Sequence, residues 1–345
     1  MKKSTAILAP AGVLVGIAAA SAAYAFATRG LRRVRSGQIV VITGGSRGLG
    51  LALAARYGRA GAKLVLAARD HDELTRARET LLRQKAVQSP EDVLLIPADL
   101  TDAGQATSLI EHAIEHFGRI DVLINNAGII EVGPVEDQPL AAYRRAMATN
   151  FFAALHTTHA ALPYLLDRKP SQGDAAIVNI ASVGGKVAVP HLLPYTASKF
   201  ALTGFSEGLH AELRHKGVRV TTVCPGLMRT GGEINARFTG QVKKEKRWFT
   251  LAAKTPVITA SVNHAADRIF RAVAAGRAEI TITPQAWLAA RAAGIAPGTV
   301  QYIASLANHF VLPKPAPVGQ PKIDFSLKVS ARATTEVVEP NPSQG

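Results

Sequence analysis

The chain has 345 residues, of which 48% are hydrophobic, and it carries a formal net charge of +15 and a single cysteine. This length allows one large domain or two of ordinary size, and the single cysteine excludes an internal disulfide framework. A charge this positive attracts nucleic acid, anionic lipid or acidic ligands, so the positions of the basic residues must decide among them.

A long uncharged segment lies close to the N-terminus. Residues 6–28 contain no charged side chain, and at about 1.5 Å per residue a helix of this length could span a bilayer. Arginines follow at positions 29, 32, 33 and 35, and basic flanks of this kind stay on the cytoplasmic side. We therefore predict that residues 1–35 form a membrane anchor and its basic flank, with the rest of the chain in the cytoplasm. A cleavable signal peptide is the alternative, because small residues surround a possible cleavage site at Ala23-Tyr24-Ala25.

Apolar runs alternate with helical spacing through residues 36–312. The runs predict strands at 38–42, 63–67, 92–97, 121–124, 176–180, 218–223 and 279–282, and the spacing predicts helices at 48–58, 72–85, 103–117 and 195–213. This alternation predicts an α/β fold, a doubly wound parallel sheet of the Rossmann type in a single domain, with its ligand site at the carboxyl ends of the strands. From residue 313 to residue 345, recurring prolines without periodicity predict a disordered tail.

A glycine-rich turn follows the first strand and opens the first helix. Glycine allows the backbone to approach a ligand closely, and a helix N-terminus offers N–H groups and partial positive charge to a diphosphate. The position of the turn between strand and helix therefore predicts a dinucleotide site. Its residues are Gly44, Ser46, Arg47, Gly48, Leu49 and Gly50.

The end of the second strand indicates which dinucleotide is bound. It reads Ala67-Ala68-Arg69 and lacks the carboxylate that an NAD site offers to the ribose, while Arg47 can supply a second cation. Two guanidinium groups suit a ribose phosphate, so we predict NADP(H), although Asp70 could pair with Arg69 or bind the ribose itself. Asp99 and Leu100, after the third strand, are placed to contact the adenine, unless they only cap the next helix.

Tyr195 and Lys199 lie four residues apart in a predicted helix and so share one face. At about 4 Å and an effective dielectric near 20, an ammonium favours a phenolate by about 4 kcal/mol, or roughly three units off a phenol pKa of about 10. We therefore expect Tyr195 to act as an acid and base near neutral pH.

Further residues join this pair in a fixed order. The glycine turn, Asn125-Asn126-Ala127-Gly128, Asn150, Ser182, the Tyr195–Lys199 pair, Pro225-Gly226 and Thr230 follow one another along the chain. In order and approximate spacing, residues 39–282 resemble the short-chain dehydrogenase/reductase family.

The resemblance implies a role for each matching residue. Tyr195 donates the proton in the reduction direction, Lys199 lowers its pKa and holds the nicotinamide ribose, and Ser182 bonds the substrate oxygen. Asn150 holds a water that connects Lys199 to solvent. The remaining cofactor contacts implied are Asn126, Ala127, Gly128, Pro225, Gly226 and Thr230.

Three other side chains invite chemical interpretations that the sequence does not favour. Cys224 precedes Pro225 at a strand end and is interpreted as a packed small hydrophobe. His156 and His159 are three apart but lack a third ligand nearby, so no metal site is predicted. His191 either lines the substrate pocket or is exposed in a loop.

Residues 227–260 match the region that covers the substrate in the family. Here the segment is basic, with Arg229, Arg237, Lys243, Lys244, Lys246, Arg247 and Lys254 against Glu233 and Glu245. We expect a solvated mobile lid, contact with anionic lipid, or binding of an acidic carrier or thioester; nucleic acid is not expected, because the basic residues lack interleaved stacking aromatics. Apolar spacing from Trp287 to Leu312 predicts a cover for the active site, a subunit contact in a homo-oligomer, or a membrane contact.

The sequence thus predicts an NADP(H)-dependent oxidoreductase that reduces a ketone or aldehyde, or oxidises the corresponding secondary alcohol. The anchor indicates a small hydrophobic substrate drawn from the membrane, by analogy with membrane-associated members of the family. A 3-oxoacyl thioester reductase is the alternative enzyme. A non-catalytic NADP(H)-sensing binding module is the alternative of another class, and the intact Tyr, Lys, Ser and Asn set argues against it.

Overall fold

The computed structural model describes residues 36–168, 175–229, 236–255 and 259–317. The predicted anchor, the predicted cofactor contact Thr230 and the tail beyond residue 317 lie outside the described residues. Within the described ranges, no helix combines the length and the hydropathy needed to cross a bilayer.

A seven-stranded parallel sheet forms the centre of the molecule. Its strands pair in the order β7-β6-β5-β4-β1-β2-β3, and the order reverses between β1 and β4, as in a doubly wound sheet. The predicted α/β class is confirmed, and each strand ends within one residue of its predicted bounds. The strands are β1 (Ile39–Thr43), β2 (Lys63–Ala68), β3 (Val93–Pro97), β4 (Val122–Asn125), β5 (Ala175–Ile180), β6 (Val218–Cys224) and β7 (Glu279–Thr281).

Helices cover both faces of the sheet and extend beyond its β7 edge. In chain order they are α1 (Gly48–Gly58), α2 (His71–Arg83), α3 (Ala103–Phe117), α4 (Leu140–Met147), α5 (Ala153–Leu166), α6 (Leu193–Leu213), α7 (Val242–Lys254), α8 (Val262–Ala274), α9 (Pro284–Ile295) and α10 (Pro297–Phe310). The second of these is shorter than predicted. Asp70 caps α2 from outside, and Lys85 adopts a left-handed φ of 51°, which a continuing helix does not allow.

Alternation along the strands builds one apolar core on each face of the sheet. In β1, Val40 and Ile42 join the core beneath α1 and α8, whereas Ile39 and Val41 join the core beneath α3 and α5. Successive strand side chains point to opposite faces, so a parallel strand covered on both faces is apolar throughout. This packing fixes the carboxyl ends of β1, β4, β5 and β6 along one edge of the sheet.

Candidate active site

The glycine turn folds around a support from the neighbouring strand. Gly44 and Gly48 have φ angles of 62° and 55°, which favour glycine. A Cβ on Gly50 would lie 2.1 Å from the Gly44 carbonyl oxygen, so the turn cannot admit a side chain there. The Asn126 amide donates to the carbonyl oxygens of Thr43 and Gly44, at 3.0 Å each. Asn126 thus supports the turn from beneath, while its implied contact with the cofactor stays a prediction.

The N-terminus of α1 is open to an anion. Within the described chain no side chain caps α1 at Arg47, and the first turn of α1 contains no acid. Its leading N–H groups therefore face the space above the turn, and together with the helix dipole they fit a diphosphate. The predicted diphosphate site is consistent with this geometry.

The ribose end of the site differs from the expected pair of free cations. Arg47 Nη1 lies 3.0 Å from Glu73 Oε1, and the Ser46 hydroxyl donates to Glu73 Oε2 at 2.9 Å. Glu73, which the sequence reasoning overlooked, therefore forms an ion pair with Arg47. Arg69 is exposed at the end of β2. Asp70 caps α2 by accepting from the Glu73 N–H at 2.9 Å, which accounts for this carboxylate without a ribose contact.

Asp99 closes the turn after β3. Its Oδ1 accepts from the N–H of Thr101 at 3.1 Å and from the Thr101 hydroxyl at 2.8 Å. Leu100 is buried, and the cap of α3 is Asp102 rather than Asp99. The predicted adenine contacts of Asp99 and Leu100 remain predictions.

The catalytic candidates meet at the ends of β4 and β5. Lys199, on α6, is 4% exposed and donates from Nζ to the Ile180 carbonyl at 2.8 Å. A Cβ on Gly128 would lie 3.5 Å from that Nζ, so the segment that supports the glycine turn also borders the lysine. Ser182 caps a short turn by accepting from the Gly184 N–H at 3.0 Å, and it hydrogen bonds to the partly buried Tyr195.

Asn150 lies in a π-helical turn, at positions 148–152, that joins α4 to α5. Its Oδ1 accepts from the Ile129 N–H at 2.7 Å, and its Nδ2 donates to the Ile129 carbonyl at 3.1 Å and to the Ser198 hydroxyl at 2.8 Å. The side chain therefore ties the loop after β4 to α6, one residue before Lys199. Turns of this kind often occur at functional sites. The water-holding role of Asn150 stays a prediction.

Burial dominates the electrostatics of the pair. It raises the pKa of Tyr195 above the ordinary value of 10.0, although the hydrogen bond with Ser182 opposes this rise. It also lowers the pKa of Lys199 to about 8. The expectation that Lys199 depresses the Tyr195 pKa is thus wrong for this structure. The ammonium lies 5.8 Å from the centre of the tyrosine ring and is hydrogen-bonded to a carbonyl instead, while loss of water penalises the phenolate.

Residues after β6 complete the edge of the site. The Pro225 carbonyl accepts from the Val183 N–H at 2.8 Å, which joins this segment to the Ser182 turn. A Cβ on Gly226 would lie 2.3 Å from the Thr283 hydroxyl at the start of α9, so glycine allows close packing there. Cys224 is buried as predicted, and burial raises the pKa of its thiol to about 12.

The lid is anchored by a buried polar contact that the sequence reasoning missed. His191 Nδ1 lies 3.0 Å from both carboxylate oxygens of Glu245, and Trp248 Nε1 donates to the same carboxylate at 2.6 Å. His191 is 5% exposed and Glu245 is 0% exposed, so an exposed loop histidine and a uniformly solvated lid are both wrong. The available signal was the spacing of Glu245, Trp248 and Phe249, which places them on one face of α7.

The space beside Tyr195 is apolar. Val132, Leu192 and Phe249 are buried in one cluster, against which Tyr195 and Trp248 pack. A separate cavity of about 780 Å³ lies on the other side of the loop at residues 186–193, between this loop and α10. Neither Tyr195 nor Ser182 lines that cavity, so the cavity borders the catalytic group without containing it.

Comparisons with known proteins give consistent matches. A family model described as short chain dehydrogenase matches residues 38–239. The chain is 36% identical over 250 residues to "Dehydrogenase/reductase SDR family protein 7-like" of Anopheles gambiae, covering 72% of this chain and 76% of that protein. It is 35% identical over 207 residues to the human "Dehydrogenase/reductase SDR family member 7", covering 60% of this chain and 59% of that protein.

Solved structures give the same result. A short chain dehydrogenase/reductase from Burkholderia phymatum, in complex with NAD, is 27% identical with a TM-score of 0.69, covering 76% of this chain and 95% of that one. Levodione reductase is 25% identical with a TM-score of 0.63, covering 73% of this chain and 98% of that one.

Proposed function

Because this chain belongs to the short-chain dehydrogenase/reductase family of oxidoreductases, we propose that it transfers a hydride between NADP(H) and a carbonyl or alcohol carbon, with Tyr195 as acid and base. The observation that carries the proposal is the meeting of Ser182, Tyr195 and Lys199 at the carboxyl ends of parallel strands. The segment at 126–128 joins this group to the glycine turn. Such a site holds a nicotinamide dinucleotide and a substrate oxygen side by side.

The protein's own residues supply position and protons. When bound, the nicotinamide supplies the hydride. In the reduction direction the Ser182 hydroxyl donates a hydrogen bond to the substrate oxygen, on which negative charge develops. Tyr195 gives its hydroxyl proton to that oxygen. Burial raises the pKa of Tyr195 and so makes the phenol a weaker acid, whereas the hydrogen bond with Ser182 lowers this pKa toward the range in which a general acid is effective.

Replacing Tyr195 tests the reaction. We expect Tyr195→Phe to lower kcat for NADPH-dependent ketone reduction by about 10²–10⁴-fold, because general acid catalysis is lost while the ring still packs. The measurement is NADPH oxidation with a panel of ketones and aldehydes. Activity that survives this substitution removes Tyr195 from the mechanism. An inactive parent that binds NADPH favours a sensing module instead.

The preference for NADP(H) rests on two arginines and one carboxylate. Arg69 is exposed at the end of β2, where a 2′-phosphate could reach it, and Arg47 is half-exposed in its ion pair with Glu73. A phosphate would compete with Glu73 for Arg47 and would be repelled by the carboxylate. The positive charge of Arg69 therefore favours binding of the 2′-phosphate of NADP(H), and the negative charge of Glu73 opposes it.

Two substitutions of opposite sign test this preference. We expect Arg69→Ala to raise KM for NADPH by roughly tenfold or more, because charge-assisted hydrogen bonds are worth about 1.5–3 kcal/mol. We expect Glu73→Gln to lower it by about two- to fivefold, the range of an exposed ion pair. NADH kinetics are the control for both variants. Equal changes with NADH and NADPH would show that neither residue distinguishes the two cofactors.

We assign the substrate to small hydrophobic ketones and aldehydes, or the matching secondary alcohols. The support is the apolar cluster beside Tyr195, in which Val132, Leu192 and Phe249 are buried, while the Glu245 carboxylate at its margin is bound by His191 and Trp248. Catalytic efficiency should rise with the apolar size of the ketone. A flat response across a homologous series argues against this substrate class.

An acyl thioester reductase is the second candidate, and the lid favours it. In the first two turns of α7 the cations Lys243, Lys244, Lys246 and Arg247 are exposed while Glu245 is buried, so the outer surface of α7 is positive there. An acidic carrier or the phosphates of a thioester could contact that surface. A 3-oxoacyl thioester that outperforms its free ketone analogue at low salt, but not at high salt, would favour this candidate.

We also propose that residues 1–35 anchor the enzyme in a membrane with the catalytic domain in the cytoplasm. The support is the uncharged run at 6–28 and its arginine flank. NADP(H) chemistry and a free buried thiol both suit a reducing compartment.

A further inference from the structure

The outer surface of the α9–α10 hairpin is apolar and uncovered. Within the described chain, α10 buries none of its residues, and α9 buries only Ala286. Large apolar side chains instead face outward, each more than half exposed: Trp287, Leu288, Ile295, Tyr302, Ile303, Phe310 and Val311. A contiguous apolar patch of this kind on a soluble domain usually marks a binding surface.

The larger apolar side chains of α10 face away from the domain. The side of α10 that lines the cavity of about 780 Å³ beside the loop at 186–193 is mixed, with Val300 and Ala304 next to the polar residues Gln301, Ser305 and Asn308. Ile303 and Phe310 lie on the opposite side, 59% and 76% exposed. A helix that packs on a core in water turns its apolar stripe inward. The outward stripe of α10 is apolar surface beyond what packing on the domain uses, and an apolar environment outside the protein would cover it.

The charge around the hairpin selects the kind of partner. Between Glu279 and Asp324 the sequence contains no acidic residue, and its charged residues there are Arg291, Lys314 and Lys322. The Arg291 guanidinium lies 5.7 Å from the centre of the Trp287 ring. An apolar surface whose own described charged side chains, Arg291 in α9 and Lys314 after α10, are cations suits a bilayer that presents acyl chains and anionic headgroups together.

A second copy of the chain fits this surface less well. In a two-fold contact the same patch lies on both sides, so each cation of the hairpin would meet cations and no carboxylate of the patch. The helix lengths also limit the mode of lipid contact. With 12 and 14 residues, α9 and α10 are about 18 and 21 Å long, which is too short to cross a hydrocarbon core of about 30 Å.

We propose that the α9–α10 hairpin lies in the interface of an anionic phospholipid bilayer, with Trp287, Ile303 and Phe310 at the boundary between headgroups and acyl chains. Trp and Tyr favour this depth because their rings are apolar while one end is polar. The proposal goes beyond the reaction, because lipid contact requires neither cofactor nor turnover. A bilayer at this position would also lie next to the cavity between α10 and the loop at residues 186–193.

Fluorescence of Trp287 tests the proposal in the full chain. The sequence contains two tryptophans, Trp248 and Trp287, and none precedes residue 36, so the N-terminal segment adds no signal. Vesicles of phosphatidylcholine and phosphatidylglycerol carrying brominated acyl chains should quench Trp287. The Trp287→Phe variant, which keeps Trp248, should lose that quenching and so assign the signal.

Two variants of equal charge provide the matched comparison. I303E/F310E places two carboxylates on the outer side of α10, and Q301E/N308E places two carboxylates, also seven residues apart, on its inner side. The outer pair should abolish the quenching and the blue shift of Trp287, and the inner pair should retain both. Thermal unfolding followed by circular dichroism checks that both variants fold, and Ile303→Ser with Phe310→Ser is the milder outer pair.

Three outcomes would overturn the proposal. The first is a parent whose Trp287 is not quenched, and the second is equal quenching in the inner and outer variants. The third is a parent dimer in detergent that only the outer pair dissociates, without any lipid quenching, because this result assigns the surface to a second copy. Ketone reduction measured in detergent reports separately on the proposed reaction.

Discussion

At the scale of single residues, Lys199 shows how burial competes with charge in the site. Its ammonium is removed from water and hydrogen-bonded to the Ile180 carbonyl, with no carboxylate among its described partners. Burial therefore lowers its pKa to about 8, while the same burial raises that of Tyr195. Without a bound ligand, burial therefore favours a neutral phenol on Tyr195 and makes the Lys199 ammonium lose its proton more easily than an exposed lysine does.

This shift makes a prediction about stability. Because the folded pKa of Lys199 lies below the ordinary 10.5, the unfolded chain binds more protons between about pH 8 and pH 10.5. The free energy of unfolding contributed by this group should therefore rise with pH across that window, by up to about 3 kcal/mol at 1.36 kcal/mol per unit. Below pH 8 the burial of the ammonium costs stability in full.

Urea unfolding of the parent and of Lys199→Met at pH 8 and pH 10.5 measures the effect. The parent should gain stability over Lys199→Met as the pH rises. Lys216→Met, in an exposed turn, is the control and should follow the parent. Parallel pH dependences for the parent and Lys199→Met would contradict the burial argument.

At the scale of elements, α7 is held by polar contacts on its inner side. The carboxylate of Glu245 is shared by His191 and Trp248, and Phe249 packs into the apolar cluster one residue later. These contacts join the lid to the loop that lies between Ser182 and Tyr195. The position of α7 against this loop thus depends on the buried Glu245 carboxylate and on the packing of Phe249.

Removing that carboxylate should loosen the lid. We expect Glu245→Ala to lower the free energy of unfolding by about 3 kcal/mol, because a buried histidine and indole lose their partner. Glu245→Gln keeps an acceptor and should cost less. Urea unfolding measures both, and the exposed Glu212→Ala is the control. Equal midpoints for Glu245→Ala and Glu212→Ala would mean that the contact does not stabilise the lid.

Features set by the local residue pattern could be predicted from the sequence, whereas contacts between residues far apart in the chain could not. The strands were predictable because parallel strands are apolar on both faces, and the doubly wound class of the sheet followed from their alternation with helices. The pairing of Arg47 with Glu73 was not, since it joins two helices 26 residues apart. The buried side of α7 was not predicted, because the many cations of this helix indicated an exposed segment. In the folded protein Glu245, Trp248 and Phe249 nevertheless share one face of α7 and pack inward.

At the scale of the whole molecule, the basic residues and the exposed apolar residues are concentrated in a few regions of the chain, which suit different ligands. The uncharged run at 6–28 and the outward stripe of α10 are both apolar, and the first two turns of α7 add exposed cations. The net charge of +15 is therefore concentrated where lipid or acidic ligands could meet it, rather than spread over a nucleic-acid groove lined with aromatics. Two membrane contacts of different strength follow from the two proposals.

Comparing the full chain with a chain that starts at residue 36 separates these contacts. The full chain should stay with the membrane pellet in high salt and leave only with detergent, because a spanning segment is held by apolar burial. The shorter chain should bind anionic vesicles at low salt through the α9–α10 hairpin. High salt should weaken this binding more than that of the full chain, because screening over a Debye length of about 3 Å at 1 M reduces the attraction of its cations and leaves only the short apolar contact of the hairpin. If salt releases both forms equally, residues 1–35 do not anchor the protein. If the shorter chain never pellets, the hairpin alone cannot hold it to lipid.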